Sequence, residues 1–369
     1  MIYADYAASS PMLPGALETL VRLSAELYGN PSSLHSFGEE AAAVLAEARK
    51  KCADMIGAEP DEIIFTSGGT EADNLALRAR AYRWIAVSAV EHPAVLRTAE
   101  DLAEKGIPVF TLPADADGTV AVSLPDEARG EGLVSVMLAN NETGIIQPVR
   151  ELAELAHERG ALFHCDAVQG AGHIPIDVRR LGVDLMSVSA HKLGGPKGIG
   201  FLCVRRGLAL NPVLTGGGQE HGLRSGTESV PLIGAFGKAC ELCRERMAED
   251  SVRLAGIRDR IESALTGLGD VRINGEGERL PGITNLSFGG IGGEALTLMC
   301  DVNGLAVSSG SACHAGDERP SHVLEAMGVP ERYLTSALRI SLGWNTREEE
   351  AEEIVSAVTE ALRSLRGMI

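Results

Sequence analysis

Two stretches of the chain carry side chains able to do covalent chemistry. In Ser187-Val-Ser-Ala-His191-Lys192-Leu-Gly-Gly-Pro-Lys-Gly-Ile-Gly200, a lysine follows an apolar run and enters a loop of glycines and one proline. Lysine is costly to bury. In a desolvated site it gives up its proton more readily, and a neutral amine attacks a carbonyl to form a Schiff base. A solvated loop lysine fits this stretch, taken alone, about as well. In Ser308-Ser-Gly-Ser-Ala-Cys313-His-Ala-Gly-Asp-Glu-Arg-Pro-Ser321, small residues surround a cysteine and polar ones follow it. That pattern reads as an exposed loop with a reactive thiol rather than a core cysteine.

Smaller signals accompany them. Ser67-Gly-Gly69-Thr70-Glu71 lies between a strand-like run and a helix-like one. There, backbone N–H groups and the Thr70 hydroxyl make an anion site. Asp166 directly follows the apolar run 161–165; it needs a partner there, or serves as a helix N-cap. Arg339, among the apolar residues of Leu338-Arg-Ile-Ser-Leu-Gly343, needs a buried anion. A substrate carboxylate held bidentate and a structural ion pair both answer that need. His92 ends a strand-like run in Glu91-His92-Pro93; for a lone histidine a structural role is the commoner one.

The elements that must position these residues alternate. Apolar runs at 62–66, 84–90, 107–112, 133–138, 161–165, 183–188 and 199–204 predict strands, and helical periodicity at 39–56 and 71–83 predicts two of the helices between them. Such alternation predicts an α/β fold with a mostly parallel sheet and helices on both faces. The candidate residues up to Lys192 fall at or just after strand C-termini, where open α/β sheets bind ligands. A long helix, or two with a bend, is expected over 228–268. Strands at 271–274, 284–288, 306–308 and 338–342, with helices at 294–303, 321–327 and 346–365, then predict a small α+β domain. The expected division is a large domain over 13–245 and a small one made of 1–12 and 246–369.

Composition bounds the function. The 369 residues are 45% hydrophobic and 23% charged, as in a soluble globular protein. No apolar run reaches the length of a membrane span. The opening Met-Ile-Tyr-Ala-Asp lacks a signal-peptide pattern, so a cytoplasmic location is expected. Seven scattered cysteines, an odd number, predict reduced thiols. Cys52, Cys165 and Cys203 read as core. Cys240 and Cys243 read as helix neighbours one turn apart, with no metal expected. The net charge of −18 disfavours direct nucleic-acid binding.

The lysine string S-x-S-x-H-K-x-x-G-P-K-G-x-G resembles the pyridoxal phosphate (PLP) lysine segment of the class V aminotransferase-like enzymes, and within them that of the NifS/IscS-type cysteine desulfurases. Other segments resemble the same family in the same order. They are Asp5-Tyr-Ala-Ala-Ser-Ser-Pro11, Gly29-Asn30-Pro-Ser-Ser33, the Ser67 turn, Asn140-Asn141-Glu-Thr-Gly144, His164-Cys-Asp166-Ala-Val-Gln169, Gly216-Gly-Gly-Gln-Glu220, Arg224-Ser-Gly-Thr227, and the Cys313 and Arg339 stretches.

The resemblance implies a PLP-dependent transferase of fold type I, with a sheet of the seven-stranded type. It implies that Lys192 binds the cofactor covalently, that His92 stacks on its ring and shuttles protons, and that Asp166 pairs with its ring nitrogen. Asn141 and Gln169 would lie near the ring oxygen and Gly69 and Thr70 at the phosphate, with Ser189 and His191 also binding the cofactor. Thr227 would reach the phosphate of a neighbouring subunit, which implies a homodimer with shared active sites. Asn30, Asn141 and Arg339 would bind L-cysteine. Cys313 would take its sulfur, leaving L-alanine and a persulfide that passes to a protein acceptor for iron–sulfur assembly or tRNA thiolation.

The chain departs from the family at His314-Ala315, followed by Asp317-Glu318, where hydroxyl residues are usual after the cysteine. His314 is therefore expected to lower the Cys313 pKa or replace a hydroxyl partner. The chain ends at Ile369 without the longer tail of members that feed a scaffold protein, so the acceptor stays open. A PLP lyase acting on another β-leaving group, such as selenocysteine lyase, is the alternative. A non-catalytic sulfur relay is disfavoured by Lys192, Asp166, His92 and Cys313 together.

Overall fold

A computed structural model describes residues 1–309 and 320–367. After a two-residue strand β1 (Ile2–Tyr3), the chain builds a seven-stranded sheet from β2 (Ile63–Thr66), β3 (Ile85–Ser88), β4 (Val109–Leu112), β5 (Leu133–Ser135), β6 (Leu162–Asp166), β7 (Leu185–Ser189) and β8 (Gly200–Val204). The order is β2-β8-β7-β6-β5-β3-β4. Only β8 runs against its neighbours. The sheet is therefore mostly parallel, and the C-terminal ends of β2, β3, β5, β6 and β7 share one edge.

Both faces are covered, as continuous apolar strands require. Helices α1 (Pro14–Glu26), α2 (Ser36–Ile56), α5 (Val149–Glu158) and the start of α7 (Val230–Thr266) join one core with Phe163, Phe201 and Val188. Helices α3 (Gly69–Arg78) and α4 (Pro93–Glu104) join another with Ile64, Leu133 and Leu202. The short α6 (Val178–Leu181) precedes β7. Helix α2 starts three residues before the expected 39, because the His35 ring caps it by accepting from the Gly38 N–H at 3.3 Å. It stops at Gly57, whose φ of 69° suits glycine.

Strand β5 is shorter than the predicted 133–138. Val136 and Leu138 still donate to β6 carbonyls at 3.1 and 2.8 Å, so the segment is carried on to the sheet edge. The predicted long helix is one piece of 37 residues. Its second half joins a further core through Leu254, Ile257, Ile261 and Leu265. That core is closed by a three-stranded antiparallel sheet of β9 (Val271–Ile273), β10 (Ile283–Phe288) and β12 (Ala337–Ser341), by α8 (Gly293–Val302) and α11 (Glu350–Arg366), and by β11 (Leu305–Ala306), which pairs with β1. The short α9 (His322–Ala326) and α10 (Glu331–Leu334) complete the chain.

Residues 4–13 run as a strap between the two sheets. Tyr6 N–H donates to Ser341, Ser10 N–H to His191 and Leu13 N–H to Gly194. Among the described residues no helix is long and apolar enough to cross a membrane, and no His, Cys, Asp or Glu cluster could hold a metal.

Candidate active site

The shared strand edge, the strap and β12 enclose a cavity of about 500 Å³. Lys192 reaches it from a tight turn, Ala190–Lys192, after β7. Its Nζ donates to the carbonyl oxygens of Ala7 at 2.6 Å and Ala8 at 3.0 Å. Behind it, His173 Nε2 lies 3.2 Å from the Lys192 carbonyl oxygen. A carbonyl only accepts, so that nitrogen carries the hydrogen. The lysine is thus held at both ends.

The cavity floor is acidic. Asp166, 5% exposed at the end of β6, accepts the Val168 N–H at 2.9 Å. Burial raises its pKa, while His92 and Lys192 pull it back. Asp73, one turn into α3, is 1% exposed, and its Oδ1 has no hydrogen-bond partner; neither has Oε2 of buried Glu91. Burial, then the Asp166 charge, holds the Asp73 carboxyl well above the usual range. Burial pushes Glu91 up to about 8. The two of these that line the cavity, Asp73 and Asp166, leave room for a cation from outside the chain. Beneath them, His164 sits between the Ser135 and Ser187 hydroxyls at 2.8 and 2.9 Å. Burial lowers its pKa to about 3, so it is a neutral strut tying β5, β6 and β7.

One end of the cavity is built for an anion. Gly68 and Gly69 open α3, whose first N–H groups face outward. A Cβ on Gly69 would come within 2.8 Å of Val168 Cγ2, so the close approach needs glycine. Thr70, Ser189 and His191 line the same cavity. His191 is held neutral, its pKa lowered to about 4 by burial and then by Lys192 and Lys197. A phosphate at this end, a cationic ring nitrogen over Asp166 and an aldehyde at Lys192 match the residues present, so they fit PLP.

His92 caps α4, its Nδ1 accepting the Ala94 N–H at 3.1 Å. Its proton is therefore on Nε2. Burial lowers its pKa, and Asp166 partly opposes this. Gln169 also lines the cavity, and its Nε2 donates to the Ala7 carbonyl. Of the paired asparagines, Asn140 is a buried brace, accepting from the Glu142 and Thr143 N–H groups at 2.8 and 2.9 Å. Asn141 faces the cavity, and its carbonyl accepts from Arg339 Nη1 at 2.9 Å. Arg339 Nη2 pairs with Asp5 at 2.7 Å. The structural ion pair is thus present, at a residue that also lines the cavity.

Two expected site residues lie elsewhere on this chain. Asn30 is exposed, its Oδ1 accepting the Ser32 N–H. Thr227 is exposed, in a loop tied to the start of α3 by the Arg224–Glu71 ion pair at 2.9 Å. Cys313 and His314 lie outside the described residues. Burial pushes the thiols of Cys203, Cys243 and Cys300 up to about 12, and those of Cys165 and Cys240 well up, which suits inert core positions. Sequence reasoning missed Asp73, Glu142, His322 and the Ala7 and Ala8 carbonyls. Glu142 and the two alanines lie within the quoted segments without standing out there, and Asp73 left a trace as a carboxylate on the apolar face of α3.

The chain matches the Aminotransferase class-V family over residues 2–354. It is 41% identical over 379 aligned residues to a protein named cysteine desulfurase IscS from Methanosarcina thermophila, covering 100% of this chain and 93% of that one. It is 40% identical to cysteine desulfurase IscS 1 from Archaeoglobus fulgidus, covering 100% and 98%. Among solved structures, a NifS-like protein superposes with a TM-score of 0.92 at 37% identity, covering 99% of this chain and 100% of that one. A structure described as SspA in complex with cysteine superposes with a TM-score of 0.81 at 32% identity, covering 93% and 99%.

Proposed function

The chain belongs to the class V aminotransferase family, and from that membership we infer that it is a PLP-dependent cysteine desulfurase in which Lys192, His92 and Cys313 carry the reaction. The substrate is L-cysteine, and its sulfur passes to an acceptor. The reading of the residues rests above all on one arrangement: Lys192, Asp166 and His92 meet in a cavity whose buried carboxyls want a cation and whose far end wants an anion.

When bound, PLP supplies an electron sink for the charge that develops on the substrate carbons. Lys192 would be its covalent anchor and would move the proton at the substrate Cα. Asp166 holds the proton of the ring nitrogen. His92, with its hydrogen on Nε2, would offer the bound cofactor a donor. Asn141 and Gln169 orient the ring oxygen, and Gly69, Thr70, Ser189 and His191 hold the phosphate. Arg339 orients the substrate carboxylate, with Asn141 beside it. The Cys313 thiolate attacks the substrate sulfur as its bond to Cβ breaks; alanine leaves, and the sulfur stays as a persulfide on Cys313. An iron–sulfur assembly protein or a tRNA-thiolation protein then receives it.

A homodimer completes the site through Thr227. Support comes from the exposure of residues 211–218 and 226–227, with Val213 and Leu214 among the exposed apolar side chains. Glu220 fixes the base of that loop by accepting from Arg49 at 2.7 and 2.8 Å and from the Phe65 N–H at 2.8 Å.

The test supplies L-cysteine and a reductant to wild type and to Lys192→Ala. Wild type should form alanine and sulfide one for one. The variant should form neither, and borohydride treatment should fix cofactor to wild type only. Alanine production by Lys192→Ala at the wild-type rate would remove Lys192 from the mechanism.

A further inference from the structure

Two of the imidazoles that line the cavity have opposite nitrogens engaged. His92 has its Nδ1 lone pair occupied by the Ala94 N–H. His322, the first residue of α9, is the reverse: its Nε2 lies 3.0 Å from the Glu91 carbonyl oxygen. A carbonyl only accepts, so Nε2 carries the hydrogen and Nδ1 keeps a lone pair. That is the only hydrogen bond the His322 side chain makes among the described residues. One wall thus presents an imidazole N–H and another an imidazole lone pair. The Nε2 anchor is firm, because the Glu91 peptide is pinned where His92 begins α4, and Ser321 next door donates to Glu142 at 2.5 Å.

We propose that His322 is a general base of this reaction, taking through Nδ1 the proton of the substrate's ammonium group. The proposal rests on the desulfurase reading. In the step, an N–H bond of the substrate ammonium breaks and an Nδ1–H bond forms. The electron pair stays on the amine, which becomes neutral and nucleophilic, and His322 becomes an imidazolium; no oxidant or reductant is needed. The ammonium is the right source because its amine cannot attack while protonated. Taking the thiol proton instead would make the sulfur anionic and repel an attacking thiolate. Imidazole is the side chain suited to exchange a proton near neutral pH. His92 is poorly placed for this, since its free nitrogen already bears hydrogen. The charged or titratable groups that line this cavity with His322 are Asp73, His92, Glu142, Asp166, His191, Lys192 and Arg339, and Glu91 meets it through its backbone carbonyl.

The test uses PLP-loaded Cys313→Ala protein, which binds substrate without completing turnover, with and without His322→Gln. Glutamine keeps an N–H for the Glu91 carbonyl but offers no base; His322→Asn is the second variant should it fold poorly. Stopped-flow absorbance of the bound cofactor follows L-cysteine, and separately L-alanine, from pH 6.5 to 9.5. The loss of His322 should slow the absorbance change at least about tenfold near pH 7. The deficit should shrink steadily toward pH 9.5, as a growing share of the free amino acid carries a neutral amine unaided. L-alanine, which lacks a thiol, should behave like L-cysteine. Equal rates with and without His322, a deficit constant across pH, or one confined to L-cysteine would each overturn the proposal. No absorbance change with either amino acid in Cys313→Ala would instead sink the desulfurase reading itself.

Discussion

Arg339 answers two demands at once. It is 2% exposed, lines the cavity and already pairs with Asp5 at 2.7 Å. A guanidinium holds Asp5, the Asn141 carbonyl and an incoming carboxylate in one plane, which an ammonium cannot do. Arg339→Lys should therefore raise KM for L-cysteine on the order of 10- to 100-fold with a smaller change in kcat. Steady-state kinetics checks this; an unchanged KM would leave Arg339 purely structural. The sequence suggested both roles but could not choose between them, because Asp5 lies 334 residues away along the chain. Lys192 and Asp166 were legible for the opposite reason: each sits within one residue or a few of an apolar run that ends at the sheet edge. His322 was illegible, since nothing local distinguishes a cavity histidine from a surface one.

At the scale of elements, turns and helix starts do the positioning. A methyl at Gly69 would press Val168 at 2.8 Å and narrow the cradle between α3 and the strand ends. Gly69→Ala should weaken PLP binding by roughly tenfold while leaving the melting temperature of the cofactor-free protein nearly unchanged. Fluorescence titration with PLP and thermal melting separate the two effects.

Glu91, at the end of the β3 segment, gives a second prediction. Its pKa is raised from 4.5 to about 8, so the folded state keeps a proton that the unfolded state releases between those values. The stability from its neutral form is full below pH 4.5 and is lost as pH rises to about 8, by a few kcal/mol at most. Glu91→Gln, a neutral isostere, should lose part of that slope, so denaturant unfolding of variant and wild type should diverge most across this window. Parallel pH profiles would mean that Glu91 is ionised in the fold. Elements were well forecast by apolar runs and periodicity. The start of α2 was not, because His35 caps it in place of the usual hydroxyl and carboxamide residues.

At the scale of the molecule, the two sheets, α7 and the strap are one scaffold for a single cavity. The alternation that predicted the large sheet says nothing of how the second core folds back upon it. That follows from long-range contacts such as the pairing of β1 with β11 and the Asp5–Ser341 bridge. We propose that the chain divides into 13–245 and a small domain of 1–12 with 246–369. We also propose that it pairs with a second copy. Sedimentation should then give about twice 38.8 kDa, and Thr227→Ala should weaken PLP binding although Thr227 lies outside its own chain's cavity. A monomer of full activity would remove Thr227 from the site.

The central claim is that this cavity delivers the sulfur of L-cysteine to Cys313. The most direct measurement compares alanine and sulfide release from L-cysteine, with a reductant present, between wild type and Cys313→Ala, while cofactor absorbance is recorded in both. The predicted result is turnover in wild type and none in the variant, with the cofactor absorbance retained. Equal turnover in both would contradict the account, because the sulfur would then leave without Cys313.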